Sequence, residues 1–168
     1  DRATGEGRLL GYDLGSGKMS PVNDFAATPG ELHELQLLGD GLLMVASTGL
    51  LGKRGTQPLK GPQVENSALY FIDPRSGLLL KKAAVEDKDQ ILAHFAVAPD
   101  GTIVAISGQR PDGKDAGGAI YVMRKGESSL RRVPLPAELA GAIQGEILSV
   151  AIDAGRSLAS VTNPNGKL

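Results

Sequence analysis

Short apolar runs, each closed by a turn dipeptide, alternate along this chain, and the spacing of a long amphipathic helix is missing. Residues 31–47 hold an apolar run, the pair Asp40-Gly41 and a second apolar run, and residues 91–107 do the same around Asp100-Gly101, 60 positions on. Two such runs joined by Asp-Gly predict a β-hairpin, because the turn needs a residue that tolerates the left-handed backbone. A weaker third copy spans 146–162 with Ala154-Gly155 at its turn, 54 positions after the second. A different hairpin alternates with these. Residues 7–17, with Asp13 and Ser16-Gly17, match residues 67–77, with Asp73 and Ser76-Gly77, again offset by 60. Residues 119–124 are its third, less complete copy.

Each unit therefore reads strand, Asp-Gly turn, strand, loop, strand, Ser-Gly turn, strand, the four-stranded antiparallel blade of a β-propeller, with strands a to d lettered outward from the centre. The predicted class is all-β, and residues 1–168 form one partial propeller domain. It opens with a c–d half blade (7–26), continues through two whole blades (31–84 and 91–134) and closes with an a–b half blade (146–162). Even joined together, the terminal halves would give too few blades for a ring, which takes roughly four to eight. A longer protein, or a second copy in a homodimer, is expected to cover the open edges. Two stacked sheets of a sandwich would also give regular short strands, but the fixed alternation of two hairpin types favours the propeller. Residues 134–144 have room for one short helical turn, and two prolines with Gly141 oppose more.

Composition sharpens this picture in three ways. Gly 23 and Pro 10 in 168 residues fit a chain of tight turns. Lys+Arg 18 against Asp+Glu 19, without a polybasic tract, gives no electrostatic reason to expect nucleic acid. The absence of cysteine excludes disulfides and thiol chemistry, and no apolar run is long enough to span a membrane as a helix.

Several segments together carry a family resemblance. They are residues 5–13, His33-Glu34-Leu35 leading to Asp40-Gly41, Val45-Ala46 followed by Thr48-Gly49, residues 67–73 with Ser76-Gly77, His94-Phe95-Ala96 before Pro99-Asp100-Gly101, and residues 160–166. In one collinear order they resemble a family of uncharacterised bacterial propeller proteins, domains of unknown function, that carry twin-arginine export signals and are encoded beside imelysin-like proteins of iron acquisition. The resemblance implies a propeller fold, a periplasmic address, a full-length protein about twice this size and no established reaction. This chain departs from the family in having Leu32 where proline precedes His-Glu-Leu, Ala93-His94-Phe95 where Arg-His-Leu is usual, and Lys53 and Arg54 in a loop that elsewhere carries a Thr-His pair.

The two histidines, His33 and His94, fall near the start of strand a in consecutive units, one residue out of register when aligned on the Asp-Gly turns. With Glu34 they form the candidate site by position, at the channel mouth that the d–a and b–c loops share. The plainer reading makes each a strand-end histidine hydrogen-bonded to a loop. As metal ligands, His33 and His94 with one Glu fall short of a four-ligand structural zinc site, although a catalytic site needs only three. Lys53, Arg54 and Arg110 in the b–c loops are candidate contacts for an acidic partner or anion, against the plainer reading of solvated loops. The 108–118 loop lacks the spacing of a calcium loop, and residues 14–18 lack the flanking glycine and the Ser or Thr of a phosphate loop. No nucleophile elbow is present and no cofactor follows from the sequence.

The expected function is a non-enzymatic binding or interaction module of the bacterial envelope, holding a protein partner or small ligand on the loop-bearing face and linked to iron uptake. The alternative is a metal-dependent lactonase-like hydrolase with its cation at the channel mouth.

Overall fold

A computed structural model of the chain describes residues 9–21, 30–50, 65–110 and 117–166. Among these are twelve strands and one short helix. β1 (Leu10–Tyr12) and β2 (Met19–Pro21) pair with each other, and β3 (Leu32–Leu37), β4 (Leu43–Ser47), β5 (Ala68–Ile72) and β6 (Leu79–Ala84) form a four-stranded sheet in chain order. β7 (Gln90–Val97), β8 (Ile103–Gln109), β9 (Ile120–Met123) and β10 (Arg131–Arg132) form a second such sheet. α1 (Ala137–Ala142) leads to a last hairpin of β11 (Ser149–Asp153) and β12 (Leu158–Thr162). Every pairing between these strands is antiparallel, so the molecule has the all-β, four-stranded antiparallel sheets that the sequence predicts. No closed ring is formed among the described residues. No helix among them is long and apolar enough to cross a membrane.

Turn chemistry sets these hairpins. In the β3–β4 turn the Leu38 N–H donates to Leu42 O at 2.8 Å, Gly41 sits at φ +85°, and the Asp40 carboxylate accepts the Leu42 N–H at 3.1 Å. The β7–β8 turn has the same parts: Ala98 N–H to Thr102 O at 2.8 Å, Gly101 at φ +85°, and Asp100 accepting the Thr102 N–H at 2.8 Å. The β1–β2 and β5–β6 turns share another design. Asp13 and Asp73 there accept backbone N–H groups of Ser16 and Arg75, and Gly17 and Gly77 take positive φ. Hydrogen bonds hold three of these carboxyls below the usual carboxylate range, from the Ser16 side chain to Asp13, from the Ser76 side chain to Asp73, and from the Thr102 backbone to Asp100. A depressed carboxyl stabilises the fold above its unfolded pKa and loses that contribution as pH falls through the folded one. Acid unfolding of Asp73→Asn should accordingly show a shallower decline below the ordinary carboxylate pKa than the parent.

The last hairpin departs from the sequence expectation. Asp153 pairs with Leu158, the Arg156 and Ser157 N–H groups donate to Asp153 O and Ala154 O at 3.3 Å, and the left-handed residue is Ser157 at φ 53°, not Gly155. The turn is a longer loop that asks for its permissive residue two positions later. Because a non-glycine residue in this region costs about 1 kcal/mol, Ser157→Gly should raise the unfolding temperature by about 2–4 °C.

Packing follows the two-residue period of strands. Met44, Ala46, Leu69 and Phe71 leave one face of the first four-stranded sheet to meet Leu92, Phe95, Ile103, Ala105 and Tyr121 of the second in a single buried cluster. Val45, Ala68, Tyr70 and Ile72 leave the opposite face and cluster with Leu9, beside β1. β4 and β5 are thus buried on both sides, which is why they read as unbroken apolar runs. β7 touches β3 and β4 and also β11, so the first strands of successive sheets lie next to one another.

Candidate functional site

The site begins with a flaw in the ladder. Between β3 and β4 the register runs Leu32↔Ser47 and then Leu35↔Val45, so His33 and Glu34 together stand opposite Ala46 alone. Between β7 and β8 it runs Leu92↔Ser107 and then His94↔Ile106, which makes Ala93 the extra residue. β3 and β7 therefore both carry a β-bulge at the same place, a device that re-aims side chains. Counted from the paired positions on either side, Glu34 and His94 are equivalent, and alignment on the turns gives the same match, leaving His33 one residue out of register with His94.

The bulges bring the three predicted residues together. His94 Nδ1 lies 3.4 Å from Glu34 Oε2. The same oxygen accepts the Phe95 N–H at 2.7 Å, so Glu34 of one sheet satisfies a backbone donor on β7 of the next. The His33 and His94 rings meet edge to face with centroids 4.7 Å apart and planes at 89°.

A fourth group, which sequence reasoning missed, stands close by. Glu146, on the approach to β11, passes over Gly108, where an added Cβ would come within 2.9 Å of its Cγ. Its segment is pinned by Asn163, whose amide donates to Gln144 O at 2.9 Å and Glu146 O at 2.8 Å and whose Oδ1 accepts the Gln144 N–H. The signal was present, since Glu146 opens the third hairpin unit and Asn163 follows it. No charge pattern singled either residue out.

Burial of the ring, and then the neighbouring His94, push the His33 pKa below its ordinary 6.5, against the opposing pull of Glu146, Glu34 and a hydrogen bond to the Ala93 backbone. The unfolded chain thus takes up a proton on His33 before the folded one does, so stability is full above 6.5 and declines as pH falls from that value through the folded pKa. His33→Gln should flatten this part of the stability profile, as measured by urea unfolding at a series of pH values.

Lys53 and Arg54 lie outside the described residues. Arg110 follows β8, and its backbone N–H donates to Asp89 O at 2.9 Å. As for metal ligation by His33 and His94, no group of three or more His, Asp or Glu side chains among the described residues is arranged to hold an ion. His94 turns Nδ1 to Glu34, and the two rings stand perpendicular.

The sequence profile of one family, described as protein of unknown function (DUF1513), matches residues 1–168, the whole chain. The chain belongs to this family. No curated protein matches it. In this DUF1513 chain, His33, Glu34 and His94 sit at the β3 and β7 bulges, and Thr48-Gly49 follows β4.

Proposed function

We propose that this chain is part of a β-propeller of the bacterial envelope that acts as a binding module, taking a small ligand or a partner's polar group at the cluster of His33, Glu34, His94 and Glu146, in a role connected to iron uptake. One observation carries the reading: titratable side chains from three consecutive inner-strand segments gather at one end of the sheets, two of them on matching bulges. Side-by-side inner strands and the paired turn designs support the propeller, while the envelope address and the iron connection rest on the family resemblance.

Two carboxylates beside two imidazoles make an acceptor-rich cluster, suited to a ligand that donates hydrogen bonds or carries positive charge. The hydrolase alternative draws less support, because it needs three donors focused on one ion. The test is native mass spectrometry and elemental analysis of the full-length protein isolated from the cell envelope, with His33→Ala and His94→Ala alongside. A stoichiometric bound species that both variants lose is the expected result. A wild-type protein that carries nothing, and whose unfolding temperature neither ferric citrate nor Zn²⁺ moves, would overturn the reading.

A further inference from the structure

At the opposite end of the sheets from the histidines, a groove of about 690 Å³ opens between the two four-stranded sheets. Its floor is apolar, with Phe71 and Leu42 from the first sheet facing Ile103 and Met123 from the second. Its charged lining consists of Lys81, Arg124 and Lys125 against Asp40 alone. The acidic groups around it are engaged in their own turns. Asp40 accepts the Leu42 N–H and Asp100 the Thr102 N–H, while Glu127 accepts the Arg124 N–H at 2.7 Å and the Arg131 guanidinium at 3.0 Å. Lys81 spans both sheets. Its ammonium donates to Glu127 O and stands 5.0 Å from the Phe71 ring centroid. The Lys125 stem lies along Gly101, where an added Cβ would meet its Cβ and Cδ at 3.3 Å.

We propose that this groove binds a small amphiphilic carboxylate, its apolar body laid on Phe71, Ile103 and Met123 and its head group held by Lys81, Arg124 and Lys125. The volume is within the range of small-molecule sites. Burying an alkyl chain against these residues supplies affinity, and the surplus of cations at the rim gives the sign of the head group. None of this involves the histidine cluster, so the two sites are independent.

The test is calorimetric titration of the full-length protein with decanoate, decanol and decyltrimethylammonium. Decanoate is expected to bind at one saturable site, more tightly than either of the others, and more weakly as salt is raised. Arg124→Glu and Lys125→Glu, both at exposed rim positions, should each weaken decanoate about 10-fold, the equivalent of one charge-assisted contact. His94→Ala should leave decanoate binding unchanged. Equal binding of decyltrimethylammonium, affinity untouched by either charge reversal in variants with the parental unfolding temperature, or no heat of binding for decanoate would each overturn the proposal.

Discussion

Gly49→Ala is expected to destabilise the protein by about 3 kcal/mol. Gly49 takes φ +71°, where any side chain is strained, and a Cβ there would collide with Glu65 O. That neighbour is backbone and cannot swing away. It is fixed from the far side too, because Gly30 passes so close that its own added Cβ would lie 2.8 Å from the Gly49 N and Cα. Relief would require the segment after β4 to part from the segment before β5, which unseats Thr48, whose carbonyl accepts the Ser67 hydroxyl at 2.7 Å. Gly39→Ala is the control: a Cβ added there would meet no atom within 4 Å, and its φ is not in the left-handed region. It should fall within about 0.5 kcal/mol of the parent in the same urea unfolding experiment.

Gln90→Ala should cost about the same, roughly 3 kcal/mol, by a different route. Gln90 opens β7 and is fully buried. Its amide donates to Gly117 O at 3.1 Å, its Oε1 accepts the Ser107 hydroxyl, and its backbone carbonyl lies 3.0 Å from Ser67 Oγ, which shares its proton with Thr48 O. Ser107 Oγ in turn accepts the Ala119 N–H at 2.9 Å. The network ties the ends of β4, β5, β7 and β8 together in a buried place, so truncation deprives the Gly117 carbonyl of a donor and the Ser107 hydroxyl of an acceptor as well as leaving a void. Gln90→Leu keeps the volume and should recover only part of the loss. A double-mutant cycle with Ser107→Ala should return a coupling of about 1 kcal/mol, since the two side chains share one hydrogen bond.

How much of this was legible in the sequence depended on whether a residue's role was local. Asp40-Gly41, Asp100-Gly101, Ser16-Gly17 and Ser76-Gly77 announce their turns because a positive φ favours glycine and a neighbouring carboxylate or hydroxyl caps the loop. The third hairpin broke the rule: Ser157 adopts that backbone without being glycine, and Gly155 drew the turn to the wrong place. The meeting of His33, Glu34 and His94 was legible, since both histidines precede an Asp-Gly turn by nearly the same distance. That both strands bulge there was not, because a bulge adds a residue without leaving any mark in the residue types. Glu146 and the groove were hidden for a common reason. Lys81, Arg124 and Lys125 read as solvated positions one by one, and only the approach of two sheets gives them a shared cleft.

The most direct test of the central claim, that His33, Glu34 and His94 form one site across two sheets, is an NMR titration of the imidazole resonances in the parent protein and in Glu34→Gln. The account predicts that His33 titrates below 6.5 in the parent and lower still in the variant, because the Glu34 charge raises it. It also predicts that the His94 Nδ1 resonance shifts when its 3.4 Å carboxylate neighbour becomes an amide. A His33 that titrates at or above 6.5, with both rings indifferent to the substitution, would contradict it.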